Sequence, residues 1–167
     1  MKAYLDIETS FRGTITVVGL YRPDVGAMQW VGDRIRLDAL LDALEGVHTL
    51  AHYNGNRFDL PVLSRHLRFD FRQRFRSEDL MYHCWRRGLR GGLKRVETAL
   101  AIARTTVGVD GLEAMRLWER HLRGDETALE RLLAYNLEDV RNLVVLEHRL
   151  CGLPGDPVLH PDVTIVR

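Results

Sequence analysis

The sequence predicts an α/β domain in which a central mixed β-sheet is flanked by α-helices. Two observations support this prediction: short runs with strand patterning open the chain, and helical periodicity dominates its second half. A length of 167 residues with 46% hydrophobic content is sufficient for one substantial core. We therefore expect residues 1–167 to form a single domain, with residues 152–167 as an extended C-terminal tail.

The first predicted strand, Lys2–Glu8, places two carboxylates on one of its faces near its end. Successive side chains of a strand alternate between two faces, which here hold Ala3, Leu5 and Ile7 on one side, and Tyr4, Asp6 and Glu8 on the other. Two neighbouring carboxylates repel each other, and a divalent cation would offset that repulsion. The alternative is a solvent-facing pair of acids on a half-exposed edge strand.

The following elements extend the sheet and add its first helix. Ile15–Tyr21 and Ala27–Val31 are apolar runs joined by the turn residues of Arg22–Gly26, which predicts a three-stranded antiparallel meander. Leucines with helical spacing predict a short helix at Leu37–Leu44. Thr49–His52 is then a short buried strand.

A strand-to-helix corner follows at Tyr53–Leu63. Asn and Gly crowd its beginning, while Asp59 and Pro61 stand where the first turn of a helix is expected. Asp59 has an alternative role as an N-cap, because aspartate is common at that position. Asn54 and Phe58 likewise have alternative roles as a turn residue and a core aromatic.

Two arginine-rich segments are candidate phosphate contacts. In Arg65–Arg76 arginines alternate with phenylalanines, and in Arg86–Arg95 basic residues surround three glycines. The alternative is that these arginines are solvated and paired with nearby acids. The net charge of +1 means that affinity for a polyanion has to come from such local clusters. No P-loop pattern is present.

Three helices are predicted in the second half, at Leu93–Ala103, Leu112–Leu122 and Thr127–Leu150. In the last of them, Asp139 projects into the arc formed by Leu129, Leu132, Leu133, Val140, Leu143, Val144 and Leu146. Burying an unpaired carboxylate is costly, so a positive partner is required, and a metal ion is the most economical one. Tyr135 lies one turn earlier on the same face. The alternative is an ordinary amphipathic helix whose aspartate is neutralised by a neighbouring arginine.

The remaining composition favours a cytoplasmic protein. Cys84 and Cys151 form no CxxC pair, which is typical of a reducing compartment and argues against a disulfide framework or a zinc ribbon. No apolar run has the length of a membrane span, so no membrane partner is expected. The chain enters its first strand without the pattern of a signal peptide.

Three segments together resemble the motifs of the DEDDy 3′ to 5′ exonucleases of the ribonuclease H-like superfamily. Asp6-Ile7-Glu8-Thr9 is similar to the DxE motif, Asn54 through Asp59 to the N…FD motif, and Tyr135…Asp139 to the YxxxD motif. The corner segment is especially similar to the proofreading domain of B-family DNA polymerases and its bacterial stand-alone relatives. The histidine subclass requires a His at position 134, which is Ala here.

This resemblance implies a two-metal-ion site that uses Mg²⁺ or Mn²⁺. Asp6, Glu8 and Asp139 are expected to hold the first ion, with Asp6 bridging to a second ion that Asp59 completes. Two such ions activate water and stabilise the leaving 3′ oxygen, and hard oxygen ligands suit both metals. Tyr135 is expected to orient the attacking water while it keeps its proton.

The resemblance also implies the partner, which is the 3′ end of single-stranded DNA or RNA. Asn54 and Phe58 are expected to hold or stack on the terminal nucleotide, and Thr9, which follows Glu8 in the first motif, is expected to bind the substrate as well. Phe11, in a glycine-flanked loop, could press on the terminal base, although a plain loop is an alternative. Asp79 is a further acid that the motifs do not require.

Three functions compete at this point. The first is a metal-dependent exonuclease that releases nucleoside monophosphates from a single-stranded 3′ end. The second is a nucleic-acid-binding module of a repair complex without nuclease activity. The third is a structure-specific endonuclease of the same superfamily.

Overall fold

The computed structural model describes all residues from Met1 to Arg167 and contains one six-stranded mixed sheet with helices on both faces. The strands are β1 (Lys2–Thr9), β2 (Ile15–Arg22), β3 (Gly26–Val31), β4 (Thr49–His52), β5 (Arg76–Asp79) and β6 (Val163–Val166). The helices are α1 (Leu37–Ala43), α2 (Asp59–Leu67), α3 (Phe71–Arg74), α4 (Leu80–Arg86), α5 (Leu93–Ala99), α6 (Gly111–His121) and α7 (Glu126–Leu150). The predicted fold class is confirmed.

β1 lies inside the sheet, whose strand order is β5-β4-β1-β2-β3-β6. It pairs antiparallel with β2 and parallel with β4, and β2 pairs antiparallel with β3, so the predicted meander is confirmed. The alternative of an edge strand with solvent-facing acids is wrong, because β1 has a neighbour on each side and Glu8 is only 7% exposed.

Different helices cover the two faces of the sheet. On one face, Leu5 and Ile7 of β1 pack with Leu40 of α1 and with Leu60 and Leu63 of α2. On the other face, α7 packs its apolar residues against the strands, with α4 and α6 beside it. The alternation of the β1 sequence therefore separates a purely apolar face from one that carries Asp6 and Glu8 towards α7.

The long helix α7 approaches the sheet closely at Gly19. A Cβ atom at Gly19 would lie 2.2 Å from Oδ1 of Asn136 on α7, so a larger residue does not fit without displacement. Gly19 is opposite Asp6 on β1 and opposite Gln29 on β3. The missing side chain in the middle of this row is what lets Asn136 reach both neighbouring strands.

Three parts of the chain differ from the sequence prediction. Residues 71–86 form α3, β5 and α4, for which no element bounds were predicted. α5 ends at Ala99 rather than at residue 103, because Ala101 adopts a left-handed backbone with φ of 53° that an α-helix cannot contain. The C-terminal tail contains β6, which pairs parallel with β3. No helix combines the length and the apolar character that crossing a membrane requires.

Candidate metal centre and active-site cleft

Three carboxylates from two elements converge on the α7 side of the sheet. Asp6 and Glu8 project from the same face of β1, and Asp139 projects from α7. One ligand oxygen from each residue lies within 4.8 Å of the corresponding atoms of the other two. Side chains that are far apart in the sequence thus form a group with the spacing and oxygen chemistry of a divalent-cation site.

Burial and mutual repulsion raise the proton affinity of this group. Loss of hydration raises the pKa of Asp6 and of Glu8 well above the usual range, and the Asp139 charge raises both further. Burial also raises the pKa of Asp139 to about 6, although the Arg104 guanidinium opposes that increase. Asp6 receives one compensating hydrogen bond, from Nδ2 of Asn136 to its Oδ2 at 2.9 Å.

Asp59 lies at the start of α2 and lines the same cleft from that helix. Its Oδ1 accepts a hydrogen bond from the backbone N–H of Ile7 at 3.1 Å, beyond the part of β1 that pairs with β4. The alternative N-cap role is wrong, because Phe58 occupies the cap position and no side chain caps this helix. Burial raises the pKa of Asp59 to about 7.

Tyr135 reaches the cleft from α7, one turn before Asp139. Burial, with added repulsion from Asp139 and Glu8, raises the pKa of its hydroxyl far above the usual range, so the hydroxyl remains protonated. Its ring contacts two cations, with Nζ of Lys94 at 4.5 Å and Cζ of Arg104 at 5.4 Å from the ring centre. Burial lowers the pKa of Lys94.

Arg104 is a site residue that the sequence analysis missed. Its Nη2 lies 2.6 Å from Oδ1 of Asp139, outside hydrogen-bond geometry, and its Nη1 donates to both oxygens of Glu97 at 2.9 and 2.8 Å. Its Nε lies 3.4 Å from Glu138. The arginine of the alternative interpretation of α7 is therefore present, but it stands beside three converging carboxylates. The loop that contains Arg104 follows Ala101, whose backbone is left-handed. This loop has no sequence motif that would identify Arg104 as a site residue.

The corner after β4 is held by Asp79, the acid that the motifs did not require. Its carboxylate accepts hydrogen bonds from the backbone N–H groups of Asn54 at 2.8 Å and of Asn56 at 3.2 Å. Asn54 itself has a positive φ of 61°, a conformation that asparagine tolerates better than most residues. Asp79 is buried and also caps α4 through the N–H of Met81. Its position at a strand end next to a helix was the available signal.

The cleft above the carboxylates has a volume of about 190 Å³. Its lining includes Thr9, Asn54 and Phe58 among the predicted substrate-binding residues, and Phe58 is 42% exposed rather than part of the core. Phe11 is 54% exposed and lies outside this lining. The remaining lining residues are Asp6, Ile7, Glu8, Tyr53, Asp59, Gly111, Met115, Tyr135 and Asp139.

The donor set fits divalent cations with a preference for oxygen ligands. Six carboxylates belong to the cleft and its Arg104 network, namely Asp6, Glu8, Asp59, Glu97, Glu138 and Asp139. Only Lys94 and Arg104 offer positive charge to them, which leaves four negative charges when all the acids are ionised. Two divalent cations supply that much charge, and no sulfur or histidine ligand competes within the carboxylate group.

The first arginine-rich segment does not contribute to this site. Phe71 and Phe75 are buried in the core on the opposite face of the sheet, which explains the phenylalanines of Arg65–Arg76. Arg74 lines a separate cavity with Phe75 and α1 residues. The phenylalanines of this segment therefore serve packing, and the role of its exposed arginines as phosphate contacts stays a prediction.

Comparisons with known proteins agree with this architecture. A profile of the RNase H superfamily matches residues 3–151. The structure of the family B DNA polymerase from the hyperthermophilic archaeon Pyrobaculum calidifontis is similar, with a TM-score of 0.70 and 18% sequence identity. That match covers 90% of this chain but 24% of the polymerase chain, and it confirms the ribonuclease H-like fold. A comparison with curated proteins found no significant match.

Proposed function

Because the chain belongs to the RNase H superfamily, we propose that it is a two-metal-ion-dependent 3′ to 5′ exonuclease for single-stranded nucleic acid. Members of this superfamily are mostly phosphodiester hydrolases. The observation that carries the proposal is the convergence of Asp6, Glu8 and Asp139 in a cleft that Asp59 and Tyr135 also line. The products of the proposed exonuclease reaction are nucleoside monophosphates.

Each carboxylate has a distinct part in holding the cations. Asp6, Glu8 and Asp139 would hold the first Mg²⁺ or Mn²⁺, and Asp6 and Asp59 would hold the second. Such cations activate water and neutralise the charge that develops on the phosphate during in-line displacement. The raised pKa values of the acids mean that protons leave the cluster when cations bind.

The remaining residues position water and substrate. Tyr135 keeps its proton and donates a hydrogen bond that orients the attacking water. Arg104 holds the Asp139 carboxylate in place through its Nη2, which lies 2.6 Å from Oδ1. Asn54 and Phe58 bind the terminal nucleotide, and the exposed ring of Phe58 offers a stacking surface for its base.

The test is hydrolysis of 5′-labelled single-stranded DNA and RNA with Mg²⁺ or Mn²⁺. The expected result is a ladder that shortens from the 3′ end, and Asp139→Ala and Asp6→Ala should lower the rate by at least about 100-fold. Blocking the 3′ end should protect the substrate. A preparation that leaves both labelled strands intact with either metal would contradict the proposal.

A circular single strand separates this activity from internal cleavage. The circle has no end, so it should resist the wild-type protein under conditions that degrade the linear strand of the same sequence. Cleavage of the circle would favour the endonuclease alternative. Binding that persists in EDTA, with no product under any metal, would favour the binding module.

A further inference from the structure

The second arginine-rich segment forms an exposed basic surface with one aromatic residue at its centre. The arginine–tryptophan surface consists of Arg57, Trp85, Arg86, Arg87, Arg90 and Arg95. All five arginines are exposed, and none of them forms an ion pair with a carboxylate, unlike Arg22, Arg36, Arg104, Arg120 and Arg149. The alternative that these arginines are neutralised by nearby acids is therefore wrong, and their charge is available to a ligand.

Trp85 is half-buried on α4 and lies among cations. The guanidinium carbon of Arg57 is 5.9 Å and that of Arg90 is 5.4 Å from its ring centre. The Tyr82 ring packs edge-on against it at 5.4 Å between centres. The guanidinium groups lie over the indole ring, and because both arginines are exposed, a nucleic-acid base can stack on the indole when one of them moves aside, or on the guanidinium plane itself, while the neighbouring arginines contact phosphates.

This surface is continuous with the carboxylate cleft. Tyr53, which lines the cleft, donates from its hydroxyl to the carbonyl of Gly91 at 2.7 Å and so ties the Gly88–Gly92 loop to the cleft wall. A second cavity connects Tyr135 and Asp139 to Lys94 and Arg95. A third connects Arg95 to Arg90.

Two charge features restrict what can occupy the surface. The whole chain has a net charge of only +1, so this local group is not part of a generally basic protein. Five unpaired arginines together favour a ligand with repeated negative charges. A tryptophan in their midst favours unpaired bases, because bases within a duplex have no free face for stacking.

We propose that the arginine–tryptophan surface binds the single strand upstream of the nucleotide that occupies the cleft. A base of that strand stacks on Trp85, and its phosphates contact Arg90, Arg95 and the Arg86–Arg87 pair. The inference rests on the proposed exonuclease function for the direction of the strand. The surface itself is defined by its geometry and charge alone.

Equilibrium binding in EDTA tests the surface without any hydrolysis. The probe is a 5′-fluorescein (dT)12 or (rU)12 oligonucleotide, followed by fluorescence anisotropy. Trp85→Ala should weaken binding about 5- to 150-fold, whereas Trp85→Phe, which keeps a stacking face, should retain most of the affinity. The double variant Arg86→Ala/Arg87→Ala should lower the slope of log K against log salt by about 1.4 for a single strand.

The matched control is Arg123→Ala, since Arg123 is also exposed and without an ion pair but lies beyond the far end of α6. It should bind like the wild type. Circular dichroism establishes that each variant is folded, and Arg90→Glu provides an exposed second site if Trp85→Ala does not fold. Unchanged affinity and salt slope in folded Trp85→Ala and Arg90→Glu would overturn the proposal, as would equal affinity for a 12-base-pair duplex.

A small substrate separates this proposal from the proposed exonuclease function. The p-nitrophenyl ester of thymidine 5′-monophosphate has no upstream strand, so Trp85→Ala should hydrolyse it at the wild-type rate while losing activity on (dT)12. Loss of strand binding in Trp85→Ala, with no hydrolysis of any substrate by the wild type, would support the surface and contradict the nuclease. Hydrolysis of (dT)12 at the same rate by the wild type and by Trp85→Ala would support the nuclease and contradict the proposed role of the arginine–tryptophan surface.

Discussion

At the residue scale, the cleft combines acids that destabilise one another with one arginine that partly offsets them. Asp6 and Glu8 have little hydration and several like charges around them, an arrangement that is costly without a compensating cation. Arg104 contacts Asp139 but also serves Glu97 and Glu138, so its single charge is divided among three acids. The cluster therefore keeps a strong preference for added positive charge.

The first prediction concerns the pH dependence of stability without metal. The pKa of Asp59 is raised to about 7 in the fold from its ordinary value of 3.8, so the folded state holds its proton more tightly than the unfolded state. The free energy of unfolding that Asp59 contributes should therefore fall as pH rises from about 4 to about 7. Asp59→Asn keeps an acceptor for Ile7 and lacks this titration.

Thermal unfolding in EDTA across that pH range provides the measurement. Asp59→Asn should gain stability relative to the wild type towards pH 7, with the two proteins closest near pH 4. Parallel curves for the two proteins would mean that the Asp59 carboxyl is not strained in the fold.

The second prediction concerns Arg104. Arg104→Ala leaves the buried Glu97 and the Asp139 carboxylate without their partner, and breaking a buried ion pair in this way costs about 3–5 kcal/mol. Chemical denaturation should show that loss. Arg104→Lys retains the charge but cannot contact three acids with a planar group. Its stability should therefore lie between that of the wild type and that of Arg104→Ala. A loss below about 1 kcal/mol for the alanine variant would show that the network adapts.

Residues with a local signature were predictable, whereas residues recruited from loops were not. Asp6, Glu8, Asp59, Tyr135 and Asp139 stand in recognisable motifs on elements with clear periodicity. Arg104 has no such signature, because its partners come from α5 and α7 and its position depends on the turn at Ala101. The role of Asp79 could not be predicted, since its partners are backbone N–H groups that carry no sequence signal.

At the element scale, the packing of α7 on the sheet sets the position of two of the site residues. Asn136 accepts a hydrogen bond from Nε2 of Gln29 at 2.9 Å and donates to Asp6, so it links α7 to β3 and β1 across the space above Gly19. Tyr135 precedes Asn136 directly, and Asp139 follows it by one turn. A change in the depth of α7 therefore moves Tyr135 and Asp139 together.

The third prediction is that Gly19→Ala lowers both stability and activity. The new methyl group would meet the Asn136 amide at a distance that side chains do not adopt, and overpacking of this kind costs about 1–3 kcal/mol. Denaturation should show this loss, and the rate on single-stranded DNA should fall with it. Gly111→Ala, where a Cβ meets nothing within 4 Å, is the matched control for stability. Equal stability of Gly19→Ala and the wild type would indicate that α7 shifts freely.

Among the elements, strong patterns were predictable and short or context-dependent ones were not. β1, β2 and β3 show alternation or continuous apolar runs, and α7 has a long apolar arc. β5 has four residues, all of which are polar or charged, and it exists because the β4 backbone pairs with it. β6 contributes mostly exposed side chains, so its sequence gives no burial pattern to detect.

At the scale of the whole molecule, cation binding should couple to folding. The fourth prediction is that millimolar Mn²⁺ raises the unfolding temperature of the wild type, because a ligand that binds only the folded state stabilises it by about 2.7 kcal/mol at 100 times its Kd. For a protein of this length, 1 kcal/mol corresponds to about 2–4 °C. Differential scanning fluorimetry with and without Mn²⁺ provides the measurement.

Asp6→Asn is the control for that experiment. Replacing one charge of the cluster by an amide should remove most of the Mn²⁺ effect while it raises the unfolding temperature in EDTA, because Asp6 then no longer repels Glu8 and Asp139. An equal Mn²⁺ effect in both proteins would locate the cation elsewhere on the surface.

β6 covers the edge of the sheet at β3, where Asp162 also accepts the N–H of Ala27 at 2.9 Å. An uncovered β3 would present a row of free backbone donors and acceptors with β-prone side chains, which is a template for strand addition by a second molecule. β6 itself then forms the edge, but it has four residues whereas β3 has six, so the free edge that remains is shorter. Removing residues 163–166 would expose the longer β3 edge, and the shortened protein should self-associate more readily even though the carboxylate cleft is untouched.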